Sequence, residues 1–413
     1  MNTAFTANTL SPVELVVLQG TSFCNLNCTY CDLTPDSRRT RAVMAPGLID
    51  RFFAQLFESG RVGPELTVVW HSGEPLTLPP SYYDDAIERI LRLRDIQRSG
   101  NVVVQFAIQT NAVLIDDAWC GFFARHRDHL DLGVSCDGPS DLHDSYRLNW
   151  TGRATHARTV RGMDLLHAAG IKYKMIAVVT RKTLRRPEAF YRFFFERRAH
   201  LSGFHFNIVA DARSSDPDLA YSADDRPAYY SFYRRLLELT HAARDAGHEF
   251  EIVSFSHATH RILASNRPGA PIFFAETTAP LKSLSLDASG NVTTFYAGLS
   301  IDTLRDEYGD GKGLSLGNIF ATSLEDMAHS PKLHRIMRDF AVSRRSCEDA
   351  CEYFTVCSGG YDILKKQSYG TFAAAETVEC LIHVKTLTDA ILDDIGDYSA
   401  RHSIRRAEHR EAP

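Results

Sequence analysis

FCNLNCTYC, residues 23–31, decides how this chain is read: Cys24, Cys28 and Cys31 crowd three thiols into one short loop. The loop comes shortly after an apolar run, Val13–Leu18, that has the length and β-branched composition of a buried strand. Three thiolates so placed can hold three irons of a 4Fe–4S cluster and leave the fourth iron open to chemistry. Ferredoxin-type cluster motifs carry four cysteines, so the missing fourth is informative. A zinc loop completed by a distant ligand is the competing reading, although structural zinc loops favour cysteine pairs two to four residues apart.

Outward from this loop, short apolar runs alternate with helical segments, the pattern of a parallel α/β fold. Strands are expected at Val13–Leu18, Leu66–Trp70, Val102–Ile108, Leu132–Cys136, Tyr173–Thr180 and Phe204–Val209. Helices are expected between them near Gly47–Phe57, Ser81–Leu93, Asp116–Arg125, Ala154–Ala169 and Pro187–Arg198. Six such repeats predict a partial (β/α)6 TIM-like barrel over residues 13–225, after an N-terminal arm of residues 1–12. A helical bridging segment, 226–277, contains helices around Ala228–Asp245 and His257–Ala264. Residues 278–399 then change to turns, short strands and cysteines, and the charged end, 400–413, reads as a flexible tail.

Composition narrows the function classes. At 413 residues, 44% hydrophobic and 23% charged, the chain has ample material for a core. A net charge of −5 argues against a nucleic-acid partner, which usually calls for a basic domain. No apolar run approaches a membrane span, and MNTAFTANTLSPVE lacks the pattern of a secretory signal. Seven of the nine cysteines fall into two clusters, which suits reduced thiols in a cytoplasmic setting better than a disulfide scaffold.

The three-cysteine spacing, with Tyr30 before the third cysteine, resembles the signature of the radical S-adenosylmethionine (SAM) enzymes. In that family the open iron chelates the methionine half of SAM, and an external donor of flavodoxin or ferredoxin type supplies the electron that cleaves it. HSGEPL, with Ser72, Gly73 and Glu74, resembles the family's GGEP motif, which implies that backbone groups and Glu74 bind the SAM ammonium. Gln109 and Asn111, ending the third expected strand, can hold ribose hydroxyls, though Asn at a strand end is commonly a turn former. VSCDGPSDLHDSYR, 134–147, resembles a stretch of peptide and protein maturases; by position Ser135 and Arg147 would bind the SAM carboxylate or ribose, and Ile208 would pack against the adenine. Asp137, His143 and Asp144 read as structural.

Cys347, Cys351, Cys357 and Cys380 make a second set, four thiols being the number that fully ligates a cluster or a zinc ion. They resemble part of the SPASM domain, a C-terminal extension with two auxiliary clusters. Phe295, Tyr296 and Tyr361 stand where further cysteines of that domain are expected, so the resemblance implies one auxiliary 4Fe–4S cluster beside the SAM-binding one. This pattern, with CEYFTVCSGG, VVWHSGEPL and SLGNIF, is similar to the cyclophane-forming maturases of GrrM/OscB type. It implies a carbon–carbon cross-link, begun by taking a Cβ hydrogen, in a ribosomally made precursor peptide with a leader. Tyr296 and Glu276 are candidate bases for the released proton. The alternatives are a formylglycine-generating maturase, an epimerase using Cys136 as hydrogen donor, and a non-catalytic zinc-binding scaffold.

Overall fold

The computed structural model describes residues 11–97, 99–265, 279–295 and 302–408, with side chains described as far as 397. Nine strands form one sheet in the order β6-β5-β4-β3-β2-β1-β7-β8-β9. The first six are β1 (Val13–Leu18), β2 (Val62–Trp70), β3 (Val103–Thr110), β4 (Leu130–Ser135), β5 (Tyr173–Val179) and β6 (Leu201–Ile208). Each is parallel to its sequence neighbour and separated from it by helices, which gives the partial TIM-like barrel the repeats predict. The long covering helices are Pro46–Glu58, Pro80–Ile96, Asp117–His126, His156–Ala168 and Pro187–Phe195.

Register sorts the side chains into two faces. Leu18, Trp70, Ile108 and Leu132 lie side by side across four strands, and all are at most 3% exposed. This outer face packs on the helices: Trp70 stacks on Phe106 and meets Tyr83 edge-on, while Phe206 stacks on Tyr233. Such aromatic pairs add about 0.5–1.5 kcal/mol each beyond the area they bury. The inner face carries Val17, Val69 and Ala107 in one row and Ser135, Ile176 and His205 in another. Most of these positions stay half open.

Two features depart from the sequence reading. The barrel strands do not end at the sixth, because β7 (Ser283–Leu286) pairs parallel to β1 from the far side. β8 (Asn291–Thr294) and β9 (Gly317–Asn318) follow it antiparallel, so the C-terminal region extends the barrel's own sheet. At four residues β7 is too short, and too rich in serine, to read as a barrel strand in isolation. The last helix, Thr386–Glu408, also runs past residue 400, where the charged sequence suggests a tail. Its earlier turns pack on Arg226–Asp245 and Val253–Ser265.

Close packing at one helix gives a test. A Cβ on Gly162 would sit 2.1 Å from the backbone oxygen of Ala112, in the loop after β3, and a backbone oxygen cannot swing aside. Gly121, in the helix Asp117–His126, has only the end of Arg125 nearby, at 3.8 Å. Chemical denaturation should show Gly162→Ala destabilised by about 1–3 kcal/mol or more. Gly121→Ala should be stabilised by roughly 0.5–1 kcal/mol, since Ala is the better helix former. Equal responses would contradict this packing.

Candidate SAM and cluster sites

The cysteine loop is pinned from three sides. Cys24 N–H donates to Arg38 O at 3.0 Å, and Trp150 Nε1 donates to Cys24 O at 2.8 Å. Asn27 and Thr29 donate to Leu148 O and Tyr146 O, in the segment that follows β4. The HSGEPL turn closes the third side, with Glu74 N–H donating to Phe23 O at 2.8 Å. Gly73 makes that approach possible: its φ is +121°, and a Cβ there would lie 2.3 Å from Thr21 O. Ser72, at φ +69°, is buried and bonded to His71 Nδ1.

Asp137 binds these pieces together. It takes Nε and Nη2 of Arg147 side by side at 3.0 Å each, the N–H of Val178 at 2.9 Å and the hydroxyl of Tyr30. Arg147 also lies over the Tyr30 ring. One edge of the guanidinium expected at the SAM carboxylate or ribose is thus held by Asp137, which ties Arg147 to Tyr30 and the cysteine loop. Asp144 accepts from Thr155 N and His156 N, in keeping with a structural part. Burial lowers the pKa of His143 to about 3, so its ring is neutral where it meets Thr155 Oγ1.

Glu74 is 2% exposed. Its Oε1 accepts from Leu76 N and Thr110 Oγ1, and its Oε2 from Asn111 N at 2.8 Å. Burial raises its pKa to about 7, against the opposing pull of those three donors. None of the donors is charged, so an added ammonium is what would return this carboxyl to its ionised form.

The thiols make the same demand. Burial raises the pKa of Cys28 to about 11, and burial together with the Glu74 carboxylate raises that of Cys24 further. Cys31 is raised by burial as well. Iron relieves that penalty, because a coordinated thiol is deprotonated outright. The residues present fit a cluster and SAM: Cys24, Cys28 and Cys31 would hold the iron, and Glu74 the ammonium.

The other residues expected at SAM fall in several places. Gln109 and Ser135 face inward and bond to each other, Nε2 to Oγ at 2.8 Å. Asn111 bonds Asn25 through Nδ2 and Val113 N through Oδ1, so its amide fixes loops in the protein. Ile208 shares the face of Phe204 and Phe206 and is 6% exposed, whereas the inward position at that level belongs to Asn207. The alternation in FHFNIV, 204–209, already sets Phe204, Phe206 and Ile208 on one face, and the β5–β6 register bears that out. Glu276 and Tyr296 lie outside the described residues. Among described residues the sequence reading passed over His71, which stands at the end of β2 facing inward, in line with Thr67 and Val69. Strand alternation carried one residue further marks it.

In the C-terminal region Cys347, Cys351, Cys357 and Cys380 line one cavity together with Tyr353, Tyr361 and Lys365. Burial raises the pKa of Cys380 to about 12 and raises that of Cys357. Phe295 is 1% exposed and packs on Phe340, a hydrophobic contact at a position where a cysteine is expected. Tyr361 is turned to His383 Nδ1 at 3.3 Å. Cys120 and Cys136 are both buried, and Cys136 Sγ points to Gly138 O. Among the described residues no three His, Cys, Asp or Glu side chains are arranged to hold one metal ion. That arrangement concerns single ions such as zinc, whose ligands meet at one point.

The Radical SAM superfamily model matches residues 18–194, which run from the end of β1 to the helix before β6. Over that stretch the chain is similar to the radical SAM superfamily. The chain is 29% identical over 382 residues to an uncharacterised protein of Synechocystis, covering 92% of each chain. It is 33% identical over 197 residues to a serine-type anaerobic sulfatase-maturating enzyme of Bacteroides thetaiotaomicron, spanning 47% of this chain and 46% of that one. Among solved structures, anSMEcpe with bound AdoMet superposes with a TM-score of 0.72 at 19% identity, over 94% of this chain and 96% of that one. Streptococcus suis SuiB bound to its precursor peptide SuiA gives 0.62 at 17% identity, over 91% and 77%. No helix among the described residues is long and apolar enough to cross a membrane.

The state of Glu74 is measurable. Its folded pKa lies above the ordinary 4.5, so burial favours the protonated form and the charged form costs stability as pH rises through about 7. Binding an ammonium needs the charged form. The SAM dissociation constant of the cluster-loaded enzyme should therefore rise as pH falls from about 8 to about 6. Glu74→Gln should bind at least about ten-fold more weakly at the upper pH, in line with the loss of one charge-assisted hydrogen bond. Its affinity should also vary less with pH. A wild-type profile flat over this range would contradict the assignment.

Proposed function

We propose that this chain is a radical SAM enzyme that modifies a ribosomally made precursor peptide, taking hydrogen from a side-chain Cβ and joining that carbon to an aromatic ring. The observation that carries the reading is the C-terminal cavity. Four thiols line it, while Phe295 and Tyr361 fill, as packed aromatics, places where a second auxiliary site would have its cysteines. A site with four thiolates has no open corner for substrate, so its use is in carrying electrons. Similarity of this single-site pattern to the cyclophane-forming maturases supports the cross-link. The folds shared with anSMEcpe and SuiB, structures in which peptides are also bound, support a peptide substrate.

When bound, the cluster and SAM supply an electron and a carbon radical able to take a hydrogen atom. The chain's own residues prepare the place. Val69, Ala107, Ile176 and Val178 give the inner face an apolar middle, while His71, Ser135 and Asn207 ring its C-terminal rim. Apolar walls keep water and stray hydrogen donors from a reactive centre, and a polar rim can bind peptide backbone. Desolvation in the barrel mouth lowers the pKa of His71 from its ordinary 6.5, which favours the neutral ring that can accept a proton. An external protein electron donor of flavodoxin or ferredoxin type completes the scheme.

Formylglycine formation is the second reading, favoured by the similarity to sulfatase-maturating enzymes. It begins with the same Cβ hydrogen and differs only in what the carbon radical does next. Epimerisation with Cys136 as donor has no support in the geometry, because that thiol is 0% exposed.

Coexpression with a candidate precursor peptide encoded beside the gene separates the readings. A product lighter by two hydrogen atoms fits both, since a cross-link and a serine-derived aldehyde each remove two. Fragmentation should be silent between an aromatic residue and a residue close after it, and a hydrazide probe should not label the peptide. Labelling at Ser or Cys would establish formylglycine chemistry instead. An unchanged mass in ordinary water, with deuterium gained at Cα when the reaction runs in heavy water, would establish epimerisation.

A further inference from the structure

Lys365 is 1% exposed, in the helix Asp362–Tyr369. A buried ammonium is costly unless it is paired and fully hydrogen-bonded. Its three contacts are Ser343 O at 3.1 Å, Ser343 Oγ at 2.8 Å and Cys347 Sγ at 2.9 Å. An ammonium has three donors, so these contacts match its capacity. Among the described residues no carboxylate joins them: the ion pairs of this region link Lys366 to Glu307 and Lys385 to Glu376. The anion that this cation is built to face is the sulfur of Cys347.

Ser343 and Cys347 stand four residues apart in the helix Pro331–Ala350, on one face, and Lys365 reaches both from the packed neighbouring helix. The same lysine lines the cavity of the four thiols. A ligand sulfur that accepts a hydrogen bond from a fixed positive charge belongs to a cluster whose reduced, more negative state is stabilised. Resting on the reading that these four cysteines hold a 4Fe–4S cluster, we propose that Lys365 is a positioning residue that raises the reduction potential of that cluster through Cys347. The helix pair thereby makes the C-terminal site a better electron acceptor than four thiolates alone.

The test uses the full chain carrying Cys24→Ala, Cys28→Ala and Cys31→Ala, so that only the C-terminal set can load. After anaerobic reconstitution, iron and sulfide are counted and the cluster is titrated by EPR against redox mediators. About four irons per chain are expected. Lys365→Met should keep them and shift the reduction equilibrium at least ten-fold toward the oxidised form, about 59 mV for one electron. Ser343→Ala, which removes one support of the ammonium and leaves every thiol, should shift it in the same direction by less; it also reads the effect should Lys365→Met load poorly. A loaded Lys365→Met cluster with an unmoved potential would overturn the role of Lys365 and leave the cluster reading standing. An unmoved Ser343→Ala potential where Lys365→Met does not load would overturn it too. A parent that takes zinc, or no iron, would overturn both.

Discussion

One buried carboxylate holds the site's separate parts in register. Asp137, 2% exposed, accepts from Arg147 twice, from Val178 N and from Tyr30. These four bonds join the end of β4, the helix-forming segment beyond it, β5 and the cysteine loop. Arg147 in turn is 7% exposed and needs that carboxylate, since an unpaired charge at such a depth is strongly destabilising. The burial of both partners makes the pair weak as evidence for stability and strong as a constraint on geometry. The loop that carries Cys24, Cys28 and Cys31 is set over the barrel mouth through Tyr30, its neighbour Cys31 following the ring.

From that constraint the remaining chemistry is local. Thr110, Asn111 and Leu76 fix both oxygens of Glu74, and Glu74 N–H fixes the cysteine loop. The carboxyl therefore shares one rigid patch with the cysteine loop, and after burial it is what most raises the cost of ionising Cys24. A patch of anions that oppose one another is stable only with cations between them, iron for the sulfurs and an ammonium for the carboxylate. The C-terminal set solves the same problem differently, with a lysine of its own placed against one sulfur.

The six barrel strands were legible in the sequence because each buries its outer face under helices and so reads as an apolar run. The cysteine loop and HSGEPL were legible because rare residue types at fixed spacing carry their chemistry with them. β7 was not: four residues with two serines gain their place by pairing with β8 and with β1, the latter joining residues such as Leu15 and Ser283 that lie far apart in sequence. Side-chain partners were also hidden. Arg147 reads as a SAM contact by its place in the family-like motif, and nothing in the sequence shows that Asp137, ten residues away, holds one edge of its guanidinium. Lys365 gave no signal at all, since one of two adjacent lysines in a polar helix reads as solvated and only packing shows it buried.

The central claim is that the loop of Cys24, Cys28 and Cys31 holds a cluster that cleaves SAM. The most direct measurement is 5′-deoxyadenosine released by the anaerobically reconstituted, reduced enzyme, compared with the triple Cys→Ala variant. The account predicts release by the wild type and none above background by the variant, with the C-terminal iron retained. Equal release by both proteins would contradict it.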